Sequence, residues 1–302
     1  MKPGFPMVNP IQAQKNLRGI LAMMLAMAFF VVNDSFVKTA RLYWETGQIL
    51  VLRGFFALII LGLWLFIAKG FHSLPLLGGR LVMLRGAIEA VIALLFITAL
   101  GSMALADITA ILLLAPLFIT LLSIVFFKEQ VGWRRWMAIM IGFCGMLLVV
   151  RPGQSIAPWP ALLMALVSVI GVALRDTLSR HMPAHIPSLI GTLASTLGTM
   201  GGGALLLGFG QAWRPVELSI LWPVTGAAVF VLMGNYAIIE AHRGVELSAV
   251  SPFRFSVIIW AVLLGIFVFD EWPTPLALMG IALIMGSGIY TLHRERVRRG
   301  PA

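Results

Sequence analysis

Seven side chains in this sequence have the type and placement to hold a small charged or aromatic solute: Asp34, Arg85, Glu89, Phe96, Tyr236, Arg254 and Trp260. All fall within long apolar runs, where an ionisable group is costly and is a functional candidate by default. Asp34 shares a helical face with Met23, Met27, Phe30 and Lys38. Its carboxylate could meet an ammonium, or pair locally with Lys38. Arg85 and Glu89 stand one turn apart, on a face with Ile92, Phe96 and Ala99. They could clamp a zwitterion, Arg85 on a carboxylate and Glu89 on an ammonium, or neutralise one another as a structural pair. Arg254 follows Pro252 and has no acid nearby in sequence. It must find a partner from another helix, with Glu89, Asp107 and Glu240 as candidates, or face water. Tyr236 lies one turn before Glu240, and Trp260 shares its segment with Phe255. These aromatic rings suit either a cavity wall or ordinary packing.

Other chemistries find no support. The histidines fall at segment ends, and Cys144 is the single cysteine, so neither a disulfide nor a cysteine metal cluster is expected. His181 and His185 have i, i+4 spacing, but Pro183 and Pro187 interrupt any helix that would carry them. No zinc-protease H-E-x-x-H, no G-x-S-x-G and no phosphate-binding loop occurs. No cofactor, no metal and no direct use of ATP are therefore expected.

The elements that must position these residues follow from composition. Of 302 residues, 60% are hydrophobic and only 11% charged, against about 25% charged in an ordinary soluble domain. Soluble enzymes, nucleic-acid binders and disordered scaffolds are excluded. A bilayer span takes about 20 apolar residues, and the apolar runs predict ten helices. These cover 17–40, 46–68, 81–100, 103–126, 132–150, 158–180, 187–209, 217–240, 246–268 and 274–292. The first run is too long for a signal peptide and reads as a retained span. Placing the N-terminus in the cytoplasm puts fifteen Lys and Arg residues on the cytoplasmic side and four outside. Both termini are then cytoplasmic in an inner-membrane, multi-pass protein. The net charge of +10 is thereby a matter of orientation and not of nucleic acid.

An internal repeat appears at an offset of 142 residues. Asn33-Asp34-Ser35 through Lys38 corresponds to Arg175-Asp176-Thr177 through Arg180, and Phe127-Lys128-Glu129 corresponds to Phe269-Asp270-Glu271. Five helices per repeat is odd, so residues 1–150 and 151–302 form two repeats of opposite orientation. Such folds bind solute near the midplane. The glycines at 198 and 201–203 give the seventh helix a small-residue face suited to close packing.

Two five-helix units, each with an apolar fourth helix running into an acidic turn, resemble the EamA branch of the drug/metabolite transporter superfamily. The carrying motifs are Ala115-Pro116-Leu117-Phe118 to Phe127-Lys128-Glu129, and Ser251-Pro252-Phe253 to Phe269-Asp270-Glu271. Glycine-containing helices follow each, at Gly142 and Gly145 and at Gly286 and Gly288. Within that branch the chain looks most similar to exporters of aromatic and other hydrophobic amino acids. The resemblance implies a central cavity lined by the first, third, fourth, sixth, eighth and ninth helices.

The expected function is therefore export of a small apolar metabolite by alternating access, from a monomer whose partners are its solute and the lipid bilayer. A drug/proton antiporter of the same superfamily is the alternative within this class. An intramembrane lipid-modifying enzyme would need converging ligands or a nucleophile within the spans, and the sequence offers none. A channel would need a continuous polar stripe along several helices, and the polar residues here are scattered. Sixteen methionines suit an adaptable apolar surface.

Overall fold

The computed structural model describes residues 10–68, 70–115, 117–118, 133–150, 158–180, 183, 185–242 and 251–299. Among them are ten α-helices and no strand. The helices are α1 (Pro10–Ala40), α2 (Thr46–Ile67), α3 (Arg80–Leu100), α4 (Leu105–Leu112), α5 (Trp133–Val150), α6 (Trp159–Arg180), α7 (Ser188–Gly208), α8 (Trp222–His242), α9 (Val257–Phe269) and α10 (Pro275–Arg299). Four stretches are long and apolar enough to cross a bilayer by length and composition: Leu17–Ala40, Thr46–Ile67, Arg80–Leu100 and Leu189–Gly208. Shorter apolar helices run over Trp136–Val149, Trp159–Arg175, Phe253–Phe269 and Pro275–Tyr290. The molecule is an all-α, multi-pass membrane bundle.

Helix boundaries depart from the sequence expectation where proline or a cap intervenes. The eighth helix begins at Trp222 instead of 217, with Pro223 in its first turn, where a missing N–H is harmless. Of the ninth helix expected over 246–268, residues 246–250 lie outside the described residues, and the rest is a 3-10 segment (Ser251–Ser256) followed by α9. Pro252 has no N–H to donate and disfavours α geometry at the residue before it. The 3-10 segment Gly70–Gly78, built around Pro75, was not anticipated. Of the fourth helix expected over 103–126, residues 116 and 119–126 lie outside the described residues, as does the Phe127-Lys128-Glu129 motif.

Packing joins α1 to α8, α3 to α6, α3 to α7, α2 to α8, α1 to α9 and α4 to α6. It also joins α2 to α7, α4 to α9 and α5 to α10. In a bilayer this association relies on close van der Waals contact, which small residues permit. A Cβ on Gly86 of α3 would lie 2.7 Å from the Ala194 carbonyl oxygen of α7, and one on Gly198 would strike the Gly86 carbonyl. A Cβ on Gly145 of α5 would lie 2.7 Å from the Gly280 oxygen of α10. On α8, Gly226 and Gly234 make room for Phe36 and Phe30 of α1.

The linkers 41–45, 101–104, 209–221 and 270–274 gather at one end of the bundle. Buried Gln48 holds the third of these linkers through a reciprocal pair of bonds: its Nε2 donates to the Arg214 carbonyl at 2.8 Å, and its Oε1 accepts from the Arg214 N–H at 2.9 Å. Gln211 Oε1 accepts from the Gly47 N–H at 2.8 Å, occupying one of the donors left over at the start of α2. The segment 70–78 packs with Val82, Ile186 and Ile190 at the opposite end.

Candidate functional site

At the end where those four linkers meet, Lys38 closes α1 onto the turn after α9. Its Nζ is ion-paired with Glu271 Oε1, donates to the Met103 carbonyl at 3.0 Å and lies 4.9 Å from the centre of the Phe269 ring. The second oxygen of Glu271 accepts the Leu105 N–H at 2.9 Å, in the first turn of α4, where an anion is favoured. Local geometry delivers Glu271 to this place. The Glu271 N–H bonds the Gly265 carbonyl and the Asp270 N–H bonds the Ile266 carbonyl. The Asp270 bond is the 5→1 bond of the αL pattern of helix termination, and the Glu271 bond reaches one residue further back. Asp270 takes the left-handed conformation (φ 54°) that this requires, and its carboxylate accepts from Trp272 Nε1 at 3.0 Å. One ion pair thus ties together α1, α4 and the α9–α10 turn. Nearby, burial pulls the Arg41 guanidinium down from its ordinary pKa, Glu45 opposes that pull, and Arg214 adds to it.

Deeper in the bundle, Glu89 of α3 accepts from Arg175 Nη1 of α6 with both oxygens, at 3.2 Å each. Arg85, expected as the partner of Glu89, donates to the Gly191 carbonyl at 2.9 Å and to Ser195 Oγ at 2.6 Å, both on α7. Arg85 and Glu89 therefore anchor α3 to two different helices. Arg53 of α2 feels the charges of both Asp34 and Glu89. Asp34 accepts from Asn33 Nδ2 at 2.9 Å; Lys38, its expected local partner, is engaged with Glu271 instead.

The remaining expected residues are spread over the bundle. Phe96 is buried in the principal core cluster. Tyr236 is half exposed, with its ring 5.3 Å from that of Trp64 on α2. Arg254 is half-buried in the 3-10 segment that precedes α9. Trp260 packs with Met23 and Met27 of α1 and Ala237 and Ala241 of α8, so α1, α8 and α9 meet around it. Phe29 and Phe36 of α1 face Phe230 at 5.9 and 5.5 Å, and Phe36 also meets the Trp222 ring edge-on at 5.8 Å. The side chain of Glu240, offered as a partner for Arg254, lies outside the described side chains.

Sequence reasoning missed three charged residues of this set. Arg175 stands near the end of the sixth apolar run, yet it is paired within the bundle. Arg53 falls within an apolar run with no acid at helical spacing to mark it. Glu271 was seen only as half of a repeated acidic turn, and that repeat was the available signal. Among the described residues no cluster of His, Cys, Asp and Glu suits a metal ion.

Comparison with known proteins adds the family. The model of the EamA-like transporter family matches twice, over residues 17–151 and 159–292. An S-adenosylmethionine uptake transporter of Rickettsia prowazekii is 21% identical over 60% of this chain and 60% of its own length. The chain thus spans about three fifths of such relatives. A riboflavin transporter of Rhizobium johnstonii is 27% identical over 64% of each chain. An uncharacterized transporter of Helicobacter pylori is 22% identical over 90% of this chain and 94% of its own. A solved crystal structure shares the fold over 95% of this chain and 99% of its own, with a TM-score of 0.63 at 17% identity.

Proposed function

The chain belongs to the EamA-like transporter family, and from that premise we propose that it carries a small organic solute out of the cell by alternating access. The proposed architecture is ten spans in two inverted five-helix repeats, residues 1–150 and 151–302, with both termini cytoplasmic in the inner membrane and a monomer as the working unit. The observation that carries this reading is the pattern of helix pairs. Exchanging each helix for the one five places along turns α1 with α8 into α6 with α3, α2 with α8 into α7 with α3, and α1 with α9 into α6 with α4. The pairs α2 with α7, α4 with α9 and α5 with α10 map onto themselves. Two similar halves of opposite orientation give a carrier two closely matched arrangements, one open to each side. The Lys38–Glu271 cluster joins the first half to the second, and we assign it as the latch on the outer side.

For the solute we propose an aromatic or otherwise apolar metabolite with a polar end. Aromatic rings along α1 and α8 support the apolar part. The relatives' names, S-adenosylmethionine and riboflavin, widen the class beyond the aromatic and hydrophobic amino acids to which the sequence points. Asp34, Arg254 and Trp260 are assigned to the solute path, and Phe96 and Tyr236 to its surrounding wall. Arg85 and Glu89 are assigned to the framework that fixes α3. A proton-coupled antiporter needs a membrane carboxylate free to titrate against solute. Glu89 is paired with Arg175, which favours flux down the solute gradient.

The test is flux into proteoliposomes of L-phenylalanine, L-tryptophan, S-adenosylmethionine and riboflavin, with and without an imposed proton gradient. Saturable flux of at least one, unchanged by the gradient, is expected. Lipid turnover, flux that does not saturate, or no flux of any of the four would overturn the reading.

A further inference from the structure

Eight helices of the bundle close into a ring. Each packs on the next in the order α1, α8, α2, α7, α3, α6, α4, α9 and back to α1, while α5 and α10 pair with each other beside α4. Charged side chains within a membrane bundle turn to its interior and away from lipid.

Arg53 of α2 points into this ring. Leu50 and Ala57, one turn to either side of it, are buried, whereas Phe55, Ile59 and Leu63 form the exposed face of the helix. Arg53 stands seven residues inside α2, and Asp34 six residues from the end of α1. Both therefore lie about 10 Å from the latch end, at about 1.5 Å of rise per residue. The charges of Asp34 and Glu89 act on Arg53. These two residues belong to α1 and α3, the next helices but one around the ring, with α8 and α7 between. Their fields thus meet Arg53 from the inside.

Neither carboxylate touches it. Among the described residues Arg53 makes no hydrogen bond and no ion pair. Glu89 spends both oxygens on Arg175, and Asp34 accepts from Asn33. Nor is the guanidinium walled in. Four buried side-chain atoms lack a partner: Asn33 Oδ1, Arg41 Nε, Ser256 Oγ and Trp260 Nε1. The nitrogens of Arg53, equally unpartnered, are not sealed in this way and open on accessible space. Arg85 and Arg175 are bonded to neighbouring helices, which sets Arg53 apart from the framework. A guanidinium is always charged, offers five N–H donors in one plane and meets a carboxylate with two parallel bonds. With two carboxylates acting on it, Arg53 suits a ligand of one negative charge; the second charge of a phosphate monoester would be repelled by both.

We propose that Arg53 receives the carboxylate of the transported solute. The proposal rests on the transporter reading above and narrows its solute class to organic acids. L-Phenylalanine, L-tryptophan and S-adenosylmethionine qualify, and riboflavin does not. The second helix, absent from the cavity lining that the family resemblance implies, thereby joins the solute path.

The experiment is counterflow in proteoliposomes of the full chain. The tracer is whichever of L-phenylalanine, L-tryptophan and S-adenosylmethionine the wild type carries fastest. The two competitors are the same unlabelled acid and its primary carboxamide, which keeps the shape and loses the negative charge. In the wild type the acid should compete about tenfold better or more. In Arg53→Gln the KM for the acid should rise about ten- to hundredfold, the loss of hydrogen bonds between charged groups. Acid and amide should then compete equally. Arg53→Met, unbranched and apolar, should do the same. Arg80→Gln, at the exposed start of α3, is the control and should change nothing. An arginine that merely braced the fold would weaken both competitors together when lost. A second readout needs no variant: the acid should raise the melting temperature of the wild-type chain in detergent, and the amide should not. Equal competition or equal stabilisation by acid and amide in the wild type overturns the proposal and leaves the transporter reading standing. A preference for the acid that survives in Arg53→Gln or Arg53→Met does the same, as does riboflavin flux without flux of the three acids. No flux of any of the four overturns both.

Discussion

Glu89 and Arg175 stand at a depth where neither charge can be left alone. Each is about one fifth exposed, so stranding one should cost about 3 kcal/mol, the range for breaking a buried pair by deleting one partner. Glu89→Leu and Arg175→Leu should each lower the melting temperature in detergent. The double variant, with no charge to strand, should recover most of that loss and, with the pair in the framework as proposed, retain flux. A stable double variant without flux would return Glu89 to the solute path. This pairing also marks how far the sequence could be read. Ionisable residues in apolar runs identified Asp34, Arg85 and Glu89 as significant, but partner choice was decided by helices far apart in sequence. Local i, i+4 spacing offered Arg85 to Glu89; the fold brought up Arg175 from 86 residues away. Trp260 was chosen for its ring, whereas its unpartnered N–H emerges only once its neighbours are in place.

At the level of helices, the glycines of α7 separate contact from open surface within one turn. Gly198 abuts the backbone of Gly86, whereas Gly201 has nothing within 4 Å of where its Cβ would be. Gly198→Ala must push α3 and α7 apart and should cost several kcal/mol, comparable to overpacking a core at about 1–3 kcal/mol or more. Gly201→Ala should be neutral or stabilise by up to about 1 kcal/mol through helix propensity. Thermal melts of the two variants decide this, and equal effects would contradict the close α3–α7 approach. The helices themselves were legible because apolar runs of bilayer length need no knowledge of neighbours. Their ends were less so. The 3-10 turns at Pro75 and Pro252 depend on local backbone strain, which hydropathy does not register. The αL cap at Asp270 was equally hidden, since it uses aspartate where glycine would have announced it.

For the whole molecule, the proposed outer latch makes a prediction about accessibility. In a Cys144→Ala background, which removes the single exposed thiol, Met103→Cys lies buried beneath Lys38. Glu271→Gln should loosen the Lys38 cluster and raise the rate at which a membrane-impermeant thiol reagent, added outside, reacts at position 103. Faster reaction only with reagent added inside would reverse the proposed orientation. The latch has a further consequence for electrical behaviour. A charge crossing the full membrane potential exchanges about 2.3 kcal/mol per 100 mV, but Lys38 and Glu271 form a neutral couple, as do Glu89 and Arg175. If each couple moves or separates over only a short distance, neither adds appreciably to the charge displaced on reorientation. A voltage-dependent current recorded from the empty carrier would then report the movement of the other charges within the bundle, Asp34, Arg53, Arg85 and Arg254.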